Sequence, residues 1–234
     1  EGYAPPASAG PANRVYEDYR NPTEPGSGGG LHPTWGAGSG GGVVKVTATT
    51  ARIDGSILAG GQSGFYVGDP AGSGGSIRLD VGTLSGAGYI QAHGGNGYAQ
   101  GGSGGGGRIA LYYGSMDGFP VANLQAHGGR KDVNNPGGGT GSVYLKPSGG
   151  PGTLRIDSHE TTVKTAGTMT PLGLPGDTVF EVERLVVSGQ NTTVVPEHAG
   201  LTIQAAEVSL ENYGLLSHRP ATTGQEYSLV VRAG

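Results

Sequence analysis

Short runs in which apolar and polar residues alternate recur at nearly constant spacing along the first two-thirds of the chain. Val43 to Thr47, Ser76 to Val81, Arg108 to Tyr113 and Ser142 to Lys146 all show the two-residue period of a half-buried strand. Their inward pairs are Val44/Val46, Ile77/Leu79, Ile109/Leu111 and Val143/Leu145, so equivalent positions lie 33, 32 and 34 residues apart. A second column, Ile57, Ile90 and Leu124, keeps the same beat with steps of 33 and 34. Two columns with one period predict a stacked solenoid, each repeat forming one coil, rather than a globular domain of unrelated elements.

Between these strands lie stretches dominated by glycine, at 36 to 42, 68 to 75, 94 to 107 and 128 to 141. They fall at one phase of the repeat and are expected to emerge on one side of the coils. With 50 glycines and 15 prolines in 234 residues, disorder has to be weighed. It loses, because a disordered chain has no reason to hold its apolar residues in phase. From about 158 onward glycine thins and β-branched residues take over. Val179 to Val187, Thr192 to Val195, Leu201 to Ala205, Val208 to Leu210 and Leu229 to Val231 read as strands. The expected organisation is an irregular lead-in over 1–30 packing on the first coil, long glycine-rich coils over 31–157, and a shorter-coil continuation over 158–234.

The run Gly72-Ser73-Gly74-Gly75-Ser76-Ile77-Arg78-Leu79, then Gly82 to Gly97, then Gly104 to Tyr112, resembles glycine-rich repeats of very large secreted bacterial surface proteins. The upstream stretch Tyr16 to Gly30, which ends Pro-Gly-Ser-Gly-Gly-Gly, is similar to the start of such a module. The resemblance spans about 16 to 215 and implies an all-β, right-handed parallel β-helix of the pectin-lyase-like type. It transfers no catalytic motif.

The net charge of −4 is spread without a basic stripe, which argues against nucleic acid as a partner. No apolar stretch approaches the length of a membrane helix. Without cysteine there are neither disulfide staples nor thiolate metal sites. The composition suits a secreted or bacterial cell-surface location, and the ends of the sequence read as those of a fragment cut from something longer.

Candidate chemistry is sparse. His93 and His127 occupy equivalent positions on neighbouring coils, either as a metal or acid-base pair or as a polar corner ladder. The outward column of the repeated strand (Lys45 and Thr47, Arg78 and Asp80, Ala110 and Tyr112, Tyr144 and Lys146) offers Arg78, Tyr112, Tyr144 and Lys146 as a flat face for a polysaccharide, or simply a solvated surface. Asp69-Pro70 and Asp132 to Pro136 either start turns or lend oxygens to a loosely bound Ca²⁺, and no other cofactor is expected. Trp35, Phe65, Tyr66 and Tyr98 either pin the glycine loops down or present a binding platform, with Trp35 the first residue to test for binding. A glycosidase or lyase needs convergent carboxylates, yet Asp54, Asp80 and Asp117 sit at different phases of their repeats. Gly101 to Gly107 fits a dinucleotide-binding pattern but is not followed by a helix.

Two functions follow. One is a structural or adhesive module, joined through its solenoid ends to neighbouring modules or copies of itself. The other is a polysaccharide-binding or polysaccharide-degrading β-helix.

Overall fold

The computed structural model describes residues 18–30, 36–99, 101–130, 137–159, 169–190, 192–221, 223–224 and 226–233. The chain is an all-β parallel solenoid of about five turns. Its first part holds β1 (Val43–Arg52), β2 (Ser56–Leu58), β3 (Ser76–Ser85), β4 (Tyr89–Gln91), β5 (Arg108–Asp117), β6 (Leu124–Gln125) and β7 (Ser142–Pro147). The second part holds β8 (Thr153–Asp157), β9 (Met169–Leu172), β10 (Val179–Ser188), β11 (Thr193–Pro196), β12 (Thr202–Glu211), β13 (Leu215–Leu216) and β14 (Val230–Ala233).

The sequence columns stack as expected. Val44 pairs with Ile77, Ile77 with Ile109 and Ile109 with Val143, while Ile57, Ile90 and Leu124 form the facing wall. Ile77, Leu79, Ile90, Ile109 and Leu111 are completely buried between the two walls. The long strands exceed their alternating runs because each turns a corner midway. Val81 and Leu84 both face inward, so the two-residue period breaks across Gly82. At this corner the coils close up: a Cβ on Gly114 would lie 2.6 Å from the carbonyl oxygen of Gly82. Glycine fits there because it has no side chain to place.

The glycine segments are not slack loops. Extended out-going and returning legs bond to each other and to the next coil, as in Gly72 N–H to Gln62 O (3.0 Å), Gly95 N–H to Gly72 O (2.9 Å) and Gly104 N–H to Gly95 O (2.9 Å). They form a fin of backbone on backbone on one side of the coils. Amides from neighbouring legs satisfy one another where a side chain would hold them apart.

At Pro147 the chain departs from a simple continuation. Proline has no N–H to carry the ladder on, and the segment 148–152 turns the chain back so that β8 runs antiparallel to β7, with Tyr144 opposite Leu154. From there β8, β10, β12 and β14 are mutually parallel, and one sheet runs through all eight long strands in the order β1-β3-β5-β7-β8-β10-β12-β14.

The reversal moves the core. Parallel crossovers keep one hand almost without exception. If strand direction inverts while the sheet grows the same way, a crossover of unchanged hand must return over the opposite face. That is what the burial shows: Val143 and Leu145 belong to the first core, whereas Tyr144 belongs to the second, with Leu154, Ile156, Leu185 and Val187. The two solenoids therefore share one hand and lie on opposite faces of one sheet. Coil length shortens in the second, where Leu185 stacks on Val208 after 23 residues.

Candidate functional site

The outward face of β3, β5 and β7 brings together four residues singled out from the sequence. Register sets Arg78 beside Ala110 and Tyr144, and Asp80 beside Tyr112 and Lys146. Arg78 grips Asp80 through both carboxylate oxygens (2.8 and 3.0 Å), and its guanidinium lies 4.7 Å from the centre of the Tyr112 ring. Lys146 pairs with Glu183 of β10 at 2.7 Å. That hydrogen bond raises the lysine above its usual value and lowers the carboxyl below its own. Tyr144 is only 3% exposed and meets Tyr19 edge to face at 5.1 Å.

Residues 18–21 cross this face as a strap, while Gly26 and Gly29 farther along the lead-in donate to Gly41 O and Gly38 O of the first glycine segment. The Tyr19 hydroxyl donates to Glu181 O at 3.0 Å, the Arg20 guanidinium donates to the same carbonyl, and the Tyr112 hydroxyl donates to Arg20 O at 2.9 Å. Burial raises the Tyr19, Tyr112 and Tyr144 phenols above the ordinary tyrosine value. The strap thus clamps the first solenoid to the second across the seam.

Beside the strap a crevice of about 430 Å³ opens between the glycine edge at Gly107 and Gly141 and the apolar mouth of the second solenoid, formed by Leu154, Ile156, Leu172 and Phe180. Arg108, Asp177 and Glu181 stand at its margin. The volume is that of a small-ligand pocket, and its lining mixes apolar side chains with a few polar ones.

His93 and His127 stack face to face, with ring centres 3.6 Å apart and planes at 17°. One metal ion about 2 Å from a nitrogen of each ring would need the planes splayed by roughly 70°. The observed arrangement is instead a ladder, in which His127 Nδ1 lies 2.8 Å from Gly128 O. His93 is pushed down to about 3 by burial first, then by His127 and His159, with Arg130 adding to the effect and a hydrogen bond to Gln125 opposing it. His127 is lowered as well, chiefly by burial.

The unfolded histidine titrates near 6.5, so between about pH 6.5 and 3 the unfolded chain binds a proton that the folded one refuses. The His93 contribution is complete above that window and is lost as pH falls through it. Discounted for its partial exposure, the loss is about 1–3 kcal/mol. Between pH 7.5 and 4.5 the wild type is expected to lose more thermal stability than His93→Gln, which cannot titrate. Equal losses in calorimetry would refute the assignment.

Elsewhere, several carboxylates along the solenoid are paired with arginines. Arg155 with Asp157 (2.9 Å) repeats the Arg78–Asp80 arrangement two residues apart on one strand face, and Arg52 at the end of β1 pairs with Asp54 just beyond it (2.7 Å). Arg184 pairs with Glu207, and Arg219 with Glu197. Asp54 is held low by its hydrogen bond to Arg52. Burial works to raise Asp157 but is outweighed by the His159 N–H and by Arg155. Asp54 and Asp157, both lowered, suit ion-pair ladders better than a general acid. Among the described residues, no group of three or more His, Cys, Asp or Glu is placed to hold a metal ion.

Trp35 and Asp132 lie outside the described residues. Asp69 ties the loop tip, accepting the N–H groups of Phe65 and Tyr66 on Oδ2 at 3.3 and 2.9 Å. Phe65, Tyr66 and Tyr98 stand out from the fin, each more than half exposed.

Sequence reasoning missed Tyr19, Arg20 and Phe180 as partners of this face. One signal was present. Ile109-Ala110-Leu111 and Val143-Tyr144-Leu145 are apolar at consecutive positions, the mark of a strand buried on both sides. No protein-family model, curated protein or solved structure matches the chain.

Proposed function

We propose that this chain is a rigid structural module of a secreted or cell-surface protein, joined through its solenoid ends to a neighbouring module or to another copy of itself. One observation carries the reading: among the described residues, the eight-stranded sheet ends on strands paired along one edge only, β1 with β3 and β14 with β12. Such edges invite a further strand unless they are covered or charged. The first coil also leaves its inner column part-exposed, with Val44, Val46, Ala48 and Ile57 packed on the core from the end. At the other end Val230 and Val231 are exposed. The glycine-rich motif, similar to repeats of large bacterial surface proteins with a pectin-lyase-like β-helix, supports the same reading.

The crevice beside the strap favours a second reading, the binding of an extended saccharide over Phe180 with Arg108 and Asp177 at the rim. One pair of measurements separates the two. Sedimentation over a concentration series is expected to show assembly that Val46→Lys, a charge on the open end, abolishes, while the same sample retains nothing on a glycan array. Compact monomers at every concentration would remove the first reading, and saccharide retention weakened by Phe180→Ala would establish the second.

A further inference from the structure

Asp69 is the one buried carboxylate among the described residues whose two oxygens are treated differently. The residue is 3% exposed, and Oδ2 takes both loop N–H groups. Oδ1 is buried as well, and no donor among the described residues meets it. A buried polar oxygen left without a donor is costly and calls for an explanation. Asp69 is also the only aspartate in the sequence followed by proline.

From this juxtaposition we propose that the chain cleaves its own Asp69–Pro70 peptide bond in mildly acidic solution, with Oδ1 of Asp69 as the nucleophile. Attack by Oδ1 on the carbonyl carbon of the same residue closes a five-membered ring, so the reactants are held together by covalent bonds and no encounter has to be arranged. The leaving group is the nitrogen of a tertiary amide. Pro70 is half-exposed, so a solvent proton can reach that nitrogen. The carbon–nitrogen bond breaks as the nitrogen takes the proton, leaving a cyclic anhydride at Asp69 and a secondary amine at Pro70. Water then adds to the anhydride and gives the free α-carboxyl and side-chain carboxyl of Asp69. No electrons change hands.

The surroundings favour this over the same dipeptide in a loose chain. Two N–H groups fix the other oxygen, Oδ2, and with it the orientation of the carboxyl group. The scissile carbonyl already accepts the N–H of Tyr98 at 3.4 Å, a donor for the developing oxyanion. Gly101 packs so closely on this carbonyl that a Cβ there would lie 3.1 Å from Asp69 N and nearer still to Asp69 O. After scission the pieces stay together, since the β1/β3 ladder and the bond from Gly75 N–H to Ala59 O (2.8 Å) cross the cut.

The test uses the full chain, incubated at pH 5 either folded or in denaturant and read by intact mass under denaturing conditions. Fragments 1–69 and 70–234 are expected to appear at least ten-fold faster from the folded protein, while its native size stays unchanged. Asp69→Asn, which still accepts the two N–H groups, is expected to leave the chain whole. A folded rate no greater than the denatured one shows only the ordinary acid lability of the dipeptide and overturns the proposal. So does an intact folded chain, or an Asn variant cut as fast as the wild type.

Discussion

Gly106→Ala is expected to destabilise the fold by about 3–5 kcal/mol, at the severe end for a single methyl. A Cβ at this position would lie 2.6 Å from Gly141 N and closer still to the carbonyl oxygen of Ala126, where the out-going and returning legs of the fin meet. Neither neighbour is a side chain that can swing aside. Relief would require parting the backbones and losing bonds such as Gly141 N–H to Ala126 O, now 2.8 Å, and a buried amide left unpaired is itself expensive. Gly42→Ala supplies the contrast. It stands at the open end of the column continued by Gly75, Gly107 and Gly141, and nothing lies within 4 Å of its Cβ position. That variant is expected to stay within about 0.5 kcal/mol of wild type. Urea denaturation of the pair decides the matter, and similar midpoints would show that the fin is looser than its geometry implies.

Tyr144→Ala is expected to cost about 3–5 kcal/mol, the range for removing a buried aromatic ring. The ring fills the space beside the seam, touching Tyr19 and Tyr112 edge to face and standing directly over Gly152. Its loss opens a cavity at the hand-over between the two cores and frees the strap. Unfolding should then separate into two transitions, because the seam couples two bodies that each have a core of their own. Tyr144→Phe keeps the ring and is expected to lose only about 1 kcal/mol, the worth of the one side-chain hydrogen bond between its hydroxyl and Arg20. A single sharp transition for the alanine variant near the wild-type midpoint would mean that the seam does not couple them.

The coils were legible because stacking repeats the same demand at every turn, so Ile77, Ile109 and Val143 declare themselves by spacing alone. The second halves of the long strands were not, because the corner at Gly82 and Gly114 inverts the alternation. The reversal after Pro147 was hidden for a related reason. Leu154 and Ile156 alternate like any other strand, and nothing local tells which face of a sheet an alternating strand will bury. Tyr144 shows the same limit from the other side: a tyrosine at an outward position reads as a surface residue until the covering segment is known. The partner in question, Tyr19, lies 125 positions earlier in an irregular stretch with no periodicity to reveal it. His93 and His127 could be placed next to each other from the repeat, but the stacking of their rings follows from side-chain orientation that spacing does not encode.

The turn-back after Pro147 also bears on how such a chain begins to fold. Leu145 and Thr153, paired across it, are eight residues apart, whereas the other described ladders join residues at least 22 apart, as Thr193 and Leu215 do. Closing the shorter loop forfeits less chain entropy. The hairpin is therefore the cheapest nucleus available, and windings can be laid down from the middle of the sequence toward both ends, each new one templated on the last.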